Sequence, residues 1–124
     1  MTAISLQFGD IVAAYFPKHI PKGHEQGGYR PAIVVGFPQK LGIPRFSSVI
    51  LIPMTTDRGQ AWATTSPDLY PRFPAGTGGL RQASIALLDQ IRMLDVMRIS
   101  EYWGRLTPEQ YEPILNGIHR MIGY

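Results

Sequence analysis

The sequence contains no cysteine among its 124 residues. This absence excludes a disulfide scaffold, a thiolate metal site and a cysteine nucleophile, and it fits a reducing compartment. The chain also lacks an apolar run long enough to span a membrane. The segment from Met1 to Asp10 lacks the basic and apolar regions of a signal peptide. We therefore expect a cytoplasmic protein with no membrane association.

Metal and nucleotide motifs are missing as well. The sequence shows no group of His, Asp and Glu with metal-ligand spacing, and it has neither a P-loop nor a dinucleotide fingerprint. The sequence therefore predicts no cofactor and offers no recognisable metal site. Hydrophobic residues make up 44% and charged residues 17%, which is a globular composition. The length fits a single domain over residues 1–124.

The net charge of +3 is placed unevenly along the chain. Residues 1–60 hold six Lys or Arg against three Asp or Glu, whereas residues 61–124 hold six of each kind. The positive excess therefore belongs to the first half. Such a distribution favours an anionic partner such as RNA.

The order of the segments predicts a small β protein that ends in a helix. Residues 108–122 follow a helical apolar stripe, with Thr107 as N-cap and Gln110 at the third position. A short helical turn is predicted at residues 66–70, where Ser66 can cap. Successive strands followed by a helix indicate a mainly antiparallel barrel with the helix packed on it. The predicted strands are 7–16, with a bend at Gly9-Asp10, then 31–37, 47–54, 84–94 and 99–106.

The segment 23–35 is the most informative stretch of the chain. Its glycine-rich polar loop carries His24, Glu25 and Gln26, and it runs through Arg30-Pro31 into an apolar strand. A guanidinium group offers a planar fork of donors and keeps its charge at any working pH, so it suits a phosphate-bearing ligand. The alternative is that Arg30 is only a solvated residue at the end of a strand.

Three blocks of sequence resemble one known family. They are Phe-Gly-Asp-Ile-Val at 8–12, Gly-His-Glu-Gln-Gly-Gly-Tyr-Arg-Pro-Ala at 23–32, and Leu-Asp-Gln-Ile-Arg-Met-Leu-Asp at 88–95. Residues 52–56, Ile-Pro-Met-Thr-Thr, resemble a strand end that supplies a Thr or Ser. In this order the blocks resemble the MazF/PemK (Kid-like) toxins of type II toxin–antitoxin systems. The likeness extends from about residue 7 to the C-terminal helix.

The resemblance implies an SH3-like small antiparallel barrel, the plasmid-toxin fold, and a homodimer. It also implies a metal-independent endoribonuclease that cleaves single-stranded RNA, including mRNA, at a short sequence. In this family the 2′-hydroxyl attacks the adjacent phosphorus and leaves a 2′,3′-cyclic phosphate and a 5′-hydroxyl. A cognate antitoxin wraps the dimer and blocks the RNA groove.

Such a cleavage needs a base, a cation for the charged phosphorane and an acid for the leaving oxygen. Arg30 matches the family's catalytic Arg and is predicted to stabilise the phosphorane. Thr55 matches its catalytic Thr or Ser, and Thr56 takes that place if the alignment shifts by one residue. Adjacent strand residues face opposite sides, so only one of the two can face the site. The alternative is that both simply end the strand.

The loop before Arg30 supplies further candidates. Some family members carry a His at the position of His24, whose ordinary pKa near 6.5 allows proton transfer. Others carry a Ser, so His24 is either a site residue or an ordinary loop residue. Glu25 matches a nearly universal Glu that acts as a base or orders the loop by pairing with Arg30. Gln26 can hydrogen-bond a base edge or the backbone.

Asp89 matches an Asp or Glu that one branch of the family uses as a base. That branch has an Arg acid two residues earlier, whereas this chain has Leu87. The chemistry is therefore expected to rest on Arg30 and Thr55 together with His24 or Glu25, and Asp89 contributes to substrate binding or to structure. For Arg92 we predict a structural role. His19 and His119 are isolated in the sequence and are assigned no chemistry.

The segment 58–78 is longer than in the shorter family members. Its aromatic residues can stack on unpaired bases, or they can pack on the barrel or contact the antitoxin, and we favour packing or antitoxin contact. The aromatic residues of the segment 58–78, and the arginine that lies among them, are Trp62, Tyr70, Arg72 and Phe73.

Two other functions compete with the nuclease. One is a catalytically weakened homologue that serves as an RNA- or protein-binding module, and the other is a gyrase-inhibitor-like toxin.

Overall fold

The computed structural model describes residues 6–18, 21 and 23–123. Its elements are β1 (Asp10–Phe16), β2 (Gly28–Gly36), β3 (Ser48–Thr56), α1 (Ala61–Thr64), β4 (Arg72–Phe73), β5 (Ser84–Ala86), β6 (Arg92–Asp95), β7 (Ile99–Arg105) and α2 (Pro108–Met121). Residues rich in β-branched and aromatic side chains form the three long strands, as their composition predicts. The prediction of consecutive strands followed by a terminal helix is confirmed.

All described strand pairs are antiparallel. The strand order is β4-β5-β3-β2-β1-β7, and β6 also pairs with β3. In the part of the chain that the structure describes, no pairing joins β7 back to β4, so the barrel is open. The prediction of a mainly β, antiparallel fold with a C-terminal helix is confirmed.

The core consists of two layers on opposite faces of β1, β2 and β3. Successive side chains of a strand point to opposite faces, so each strand contributes to both layers. Because both faces of the central strands are covered, polar side chains can reach solvent only near the strand ends. The first layer includes Val12, Ala14, Phe16, Ala32, Val34 and Leu51. The second includes Ile11, Ile33, Ile52 and Met54 together with Ile114 of α2.

The helix α2 begins at the predicted residue and ends one residue before the predicted end. The Thr107 hydroxyl accepts a hydrogen bond from the Gln110 amide at 3.2 Å, and the Thr107 amide donates to Gln110 Oε1 at 2.8 Å. This capping box satisfies donors that the first turn of a helix leaves without partners. Ile114 is fully buried against the second core layer, which fastens the helix to the barrel.

One prediction of secondary structure was wrong, and two short elements were not predicted. The predicted helical turn at residues 66–70 is present, since the Tyr70 amide donates to the Ser66 carbonyl at 3.0 Å, and it ends before Pro71 because the residue before a proline disfavours helical geometry. Helix α1 and strand β4 were not predicted. The predicted strand 84–94 is divided by a 3-10 turn at Leu88–Gln90.

The division of that strand follows from its pairing with β3. Ala86 lies opposite Met54 and Arg92 lies opposite Leu51, so six steps of the chain match three steps in β3. The turn accommodates the three additional residues. The other predicted strands differ from the observed ones only at their ends, and the predicted bend before β1 is confirmed by the turn at Gly9 with its φ of 86°.

Candidate functional site

The first residues of β2 and the last residues of β3 meet at one end of the sheet. Ala32 pairs with Pro53 and Ile33 with Ile52, so continuing the register by two residues places Arg30 opposite Thr55. Directly opposed residues of an antiparallel pair share a face of the sheet. Both residues, together with Thr56, line an open groove of about 440 Å³. The structure therefore brings together Arg30 and Thr55, two of the residues selected from the sequence.

Arg30 is partly buried and has a neutral partner. Its Nε donates to the Gly27 carbonyl at 2.9 Å, and burial lowers the pKa of the Arg30 guanidinium from its ordinary value. Its terminal amino groups, Nη1 and Nη2, make no hydrogen bond to any residue that the structure describes. The donors that can form a bidentate contact with an anion are therefore not engaged by the described residues.

The two threonines at the end of β3 differ in their hydrogen bonds. The Thr56 hydroxyl donates to Gln82 Oε1 at 3.0 Å. The Thr55 hydroxyl has no side-chain hydrogen bond within the described residues, and strand alternation places it on the face of Arg30. The geometry thus favours Thr55 over Thr56 as the hydroxyl that is available to a ligand.

Further cationic and aromatic side chains line the groove. Arg58 and Arg81 contribute positive charge, and Trp103 forms part of the wall. The Arg81 guanidinium lies 4.3 Å from the centroid of the Trp103 ring and also forms an ion pair with Glu101 at 3.1 Å. The sequence analysis did not identify Arg81 or Trp103, because no local motif marks them. The pairing of β5 with β3 places the chain after Arg81 beside Thr56.

His24, Glu25 and Gln26 lie on the loop before β2, outside the groove lining. The Gln26 amide donates to Gln90 Oε1 at 3.1 Å, and an amino group of Arg92 donates to the Gln26 carbonyl. Burial lowers the pKa of Arg92, the Glu25 charge acts to raise it, and the Arg30 charge lowers it further. Glu25 and Arg30 are therefore each close enough to Arg92 to influence its charge.

Asp89 is bound by the segment 58–78 and does not line the groove. The Tyr70 hydroxyl donates a hydrogen bond to Asp89 Oδ2 at 2.6 Å. This hydrogen bond, together with burial and the Asp89 charge, raises the pKa of Tyr70 to about 12. Trp62 packs edge-on against Tyr70 with ring centroids 4.9 Å apart. The structure does not bring Asp89 together with Arg30 and Thr55.

The remaining predicted residues have structural surroundings. Phe73 and Leu87 are buried, so Leu87 fills core space. His119 is exposed on α2, and His19 lies outside the described residues. Among the described residues, no three His, Asp or Glu side chains are grouped closely enough to hold a metal ion. Within the same residues, neither helix has the length and apolar character needed to cross a membrane.

Comparison with solved structures shows the class of fold to which this chain belongs. MazF from Deinococcus radiodurans is 22% identical with a TM-score of 0.72, and the alignment covers 96% of this chain and 97% of that one. The same bacterium's MazF in a MazE–MazF structure is 23% identical with a TM-score of 0.65, covering 95% and 96%. A mycobacterial endoribonuclease in complex with its cognate antitoxin is 15% identical with a TM-score of 0.66, covering 96% of each chain. The fold is therefore that of the MazF toxins.

The sequence itself shows the family. Residues 7–122 match the model of the PemK-like, MazF-like toxins of type II toxin–antitoxin systems. None of the curated proteins matches this chain significantly. The chain belongs to the PemK/MazF toxin family, and the resemblance found in its three sequence blocks is confirmed.

Proposed function

We propose that this protein is an endoribonuclease toxin that cleaves single-stranded RNA, such as mRNA, at a short sequence. The observation that carries the proposal is the placement of Arg30 opposite Thr55 in an open groove, with the terminal amino groups of Arg30 unengaged by the described residues. Arg58 and Arg81 add positive charge along the same groove, which suits a polyanionic strand. The endoribonuclease among the structural relatives supports the assignment.

The proposed reaction is an internal transfer of the phosphoryl group. The 2′-hydroxyl oxygen bonds to the adjacent phosphorus while the bond from phosphorus to the 5′-oxygen breaks. The products are a 2′,3′-cyclic phosphate and a 5′-hydroxyl. Arg30 donates hydrogen bonds to the equatorial oxygens, where negative charge develops, and Thr55 donates to one phosphate oxygen. These roles need no metal ion.

The loop before β2 is proposed to supply the side chains that accept and donate protons in the reaction. Asp89 accepts a hydrogen bond from the Tyr70 hydroxyl at 2.6 Å, which argues against its use as a base. Glu25 lies within electrostatic reach of Arg92, which is itself influenced by Arg30. Glu25 and His24 are the two proposed groups for taking the proton from the 2′-hydroxyl and delivering one to the leaving 5′-oxygen, and Gln26 is proposed to hold the loop through its backbone.

The proposal includes the family's partners. Structures of relatives contain a toxin with its antitoxin. By extension, this chain forms a homodimer in the cytoplasm and is neutralised by a cognate antitoxin. The half-exposed Trp62 and the segment around it offer apolar contact area for that partner.

The purified protein should be incubated in EDTA with a long single-stranded RNA, and the cut ends should be mapped. The expected result is discrete cuts at one short motif with 2′,3′-cyclic phosphate ends, which are lost in Arg30→Ala. The matched control is Arg120→Ala, because Arg120 is an exposed arginine paired with Asp68 on the helix side. Intact RNA from a folded protein without antitoxin would contradict the nuclease and favour a binding module or a gyrase inhibitor.

A further inference from the structure

The loop that precedes Arg30 is held at one residue by two distant side chains. Gln90 Oε1 accepts a hydrogen bond from the Gln26 amide at 3.1 Å. Arg92 donates a hydrogen bond to the carbonyl of the same residue. Both backbone groups of Gln26 are therefore bound by side chains that follow it by more than sixty residues in the sequence.

These bonds lie one residue away from the partner of Arg30. The Gly27 carbonyl accepts the hydrogen bond from Arg30 Nε at 2.9 Å. Gly27 and Gly28 are the most flexible links available to a chain, and Gly28 has a φ of 87°. Unless Gln26 is fixed, this glycine pair would let the Gly27 carbonyl change its direction. The orientation of the Arg30 guanidinium thus depends on how firmly Gln26 is held.

The two side chains that hold Gln26 stand on well-packed elements. Gln90 ends the 3-10 turn that begins at the buried Leu88. Arg92 begins β6, pairs with Leu51 of β3, and its guanidinium lies 4.7 Å from the centroid of the fully buried Phe16 ring. Site residues are placed most accurately when their supporting shell is locked by packing and hydrogen bonds.

We propose that Gln90 and Arg92 are positioning residues that orient Arg30 through the backbone of Gln26 and Gly27. This inference rests on the proposed nuclease function. Neither residue lines the groove, so each acts on the reaction through Arg30 rather than through contact with RNA. A donor that is already oriented toward the developing charge is worth more than one that must be reoriented during the reaction.

The first test measures, in the absence of RNA, how well the hydrogen bonds of Arg30 and Gln26 protect their protons from exchange. In an NMR experiment, the Nε–H proton of Arg30 and the amide proton of Gln26 should exchange slowly with water. Gln90→Met removes the acceptor at similar size and is expected to speed both exchanges at least about tenfold. Gln90→Glu keeps an acceptor oxygen and should restore slow exchange. Gln39→Met is the matched control, because within the described residues the Gln39 side chain donates to the Ser48 carbonyl, outside this loop.

The second test separates rate from affinity. Gln90→Met is expected to slow single-turnover cleavage about 10- to 100-fold, as misplaced catalytic groups do, while the affinity for an RNA with 2′-deoxyribose at the cut stays within about threefold. Gln90→Glu should recover most of the rate, and Gln39→Met should match the unmodified protein.

Specific outcomes would overturn the inference. Unchanged exchange in Gln90→Met would show that the bond does not orient Arg30. Faster exchange with unchanged cleavage would show that the orientation has no catalytic consequence. An affinity that falls in parallel with the rate would show that Gln90 contacts RNA directly. If the unmodified protein cuts no RNA, the proposed function fails by itself, while the exchange experiment still decides whether Gln90 holds Arg30.

Discussion

Two arginines on the strands that flank β1 illustrate two uses of the same side chain. Arg105 of β7 donates from Nε to Asp10 Oδ1 at 2.6 Å, and the Asp10 side chain is fully buried. This hydrogen bond and the Asp10 charge raise the pKa of Arg105. Arg30 of β2 donates from Nε to a neutral carbonyl, and burial lowers the pKa of Arg30.

The comparison distinguishes an arginine whose charge stabilises the fold from an arginine whose charge is available to a ligand. At Arg105 the fold supplies the counter-charge, Asp10, and this ion pair joins the end of β7 to the start of β1. At Arg30 the described residues supply no hydrogen-bonded carboxylate, and the guanidinium stays poised for a counter-charge from outside. A partly desolvated cation without such a partner costs stability, which a phosphate in the groove would offset.

The strongest test of this contrast is Arg30→Ala. Removing one preorganised donor typically slows a reaction by about 100-fold or more, and we expect at least that loss in single-turnover cleavage. The free energy of unfolding should change by less than about 0.5 kcal/mol, because Arg30 is not part of the core. Urea denaturation provides the second measurement. A variant that fails to fold would show that Arg30 is structural.

Asp10→Ala is expected to have the opposite effects. It removes a buried carboxylate that serves both Arg105 and the Gln7 amide, so it should lower the free energy of unfolding by about 2 kcal/mol. The loss stays below that of a fully buried pair because the Arg105 side chain is 44% exposed. Cleavage per folded molecule should be unchanged. Asp68→Ala, which breaks the exposed pair with Arg120, is the control and should cost less than about 0.5 kcal/mol. Equal losses in the two variants would contradict this account.

Substitution of the two neighbouring threonines shows which of their hydroxyl groups the site uses. Thr55→Val removes a hydroxyl that faces the Arg30 side, and we expect cleavage to slow about tenfold, the upper range for one neutral hydrogen bond. Thr56→Val loses the bond to Gln82 and should slow cleavage by less than about threefold. Single-turnover rates of the two variants, measured in parallel, check the order. A larger effect at Thr56 would mean that the site uses the adjacent residue.

The smallest effect on cleavage is expected at Asp89. Asp89→Asn should change the rate by less than about threefold, whereas loss of a general base typically costs 100-fold or more. The same substitution should lower the pKa of Tyr70 from about 12 towards its ordinary value. The Cζ carbon resonances of the tyrosines follow this titration. A large loss of cleavage would place Asp89 in the chemistry after all.

The Tyr70–Asp89 bond also makes a prediction about pH. The pKa of Tyr70 in the folded state, about 12, lies above the unfolded value near 10. The unfolded chain therefore loses this proton first, so the contribution of Tyr70 to stability is complete below pH 10 and is lost as pH rises towards 12. Tyr70→Phe should show a smaller loss of stability over this range in urea titrations, and an equal loss would contradict the bond.

Local patterns in the sequence predict the elements that depend on local physics. Thr107 and Gln110 mark the start of α2 because their capping bonds span only three residues. Arg30 was found because it stands in a continuous motif at the start of a strand. Helix α1 was missed, because it is only four residues long and no side-chain cap marks its start.

The long-range features could not be predicted from local patterns. The face of the sheet on which Thr55 lies depends on the register between β2 and β3, and a shift of one residue would move every side chain of the strand to the opposite face. Arg81 reaches the groove only because the strand β5, which follows it, pairs with β3. The bonds of Gln90 and Arg92 to Gln26 join residues that only the folded topology brings together.

The salt dependence of RNA binding tests the contrast between the two arginines most directly. The affinity for an RNA with 2′-deoxyribose at the cut should be measured over a range of salt for the unmodified protein, Arg30→Gln and Arg105→Gln. A phosphate contact contributes close to one unit to the slope of log affinity against log salt. We predict that Arg30→Gln reduces the slope by about 0.7, the value per phosphate contact for single strands, and that Arg105→Gln leaves it unchanged. An unchanged slope for Arg30→Gln would contradict the claim that its charge is kept for the RNA.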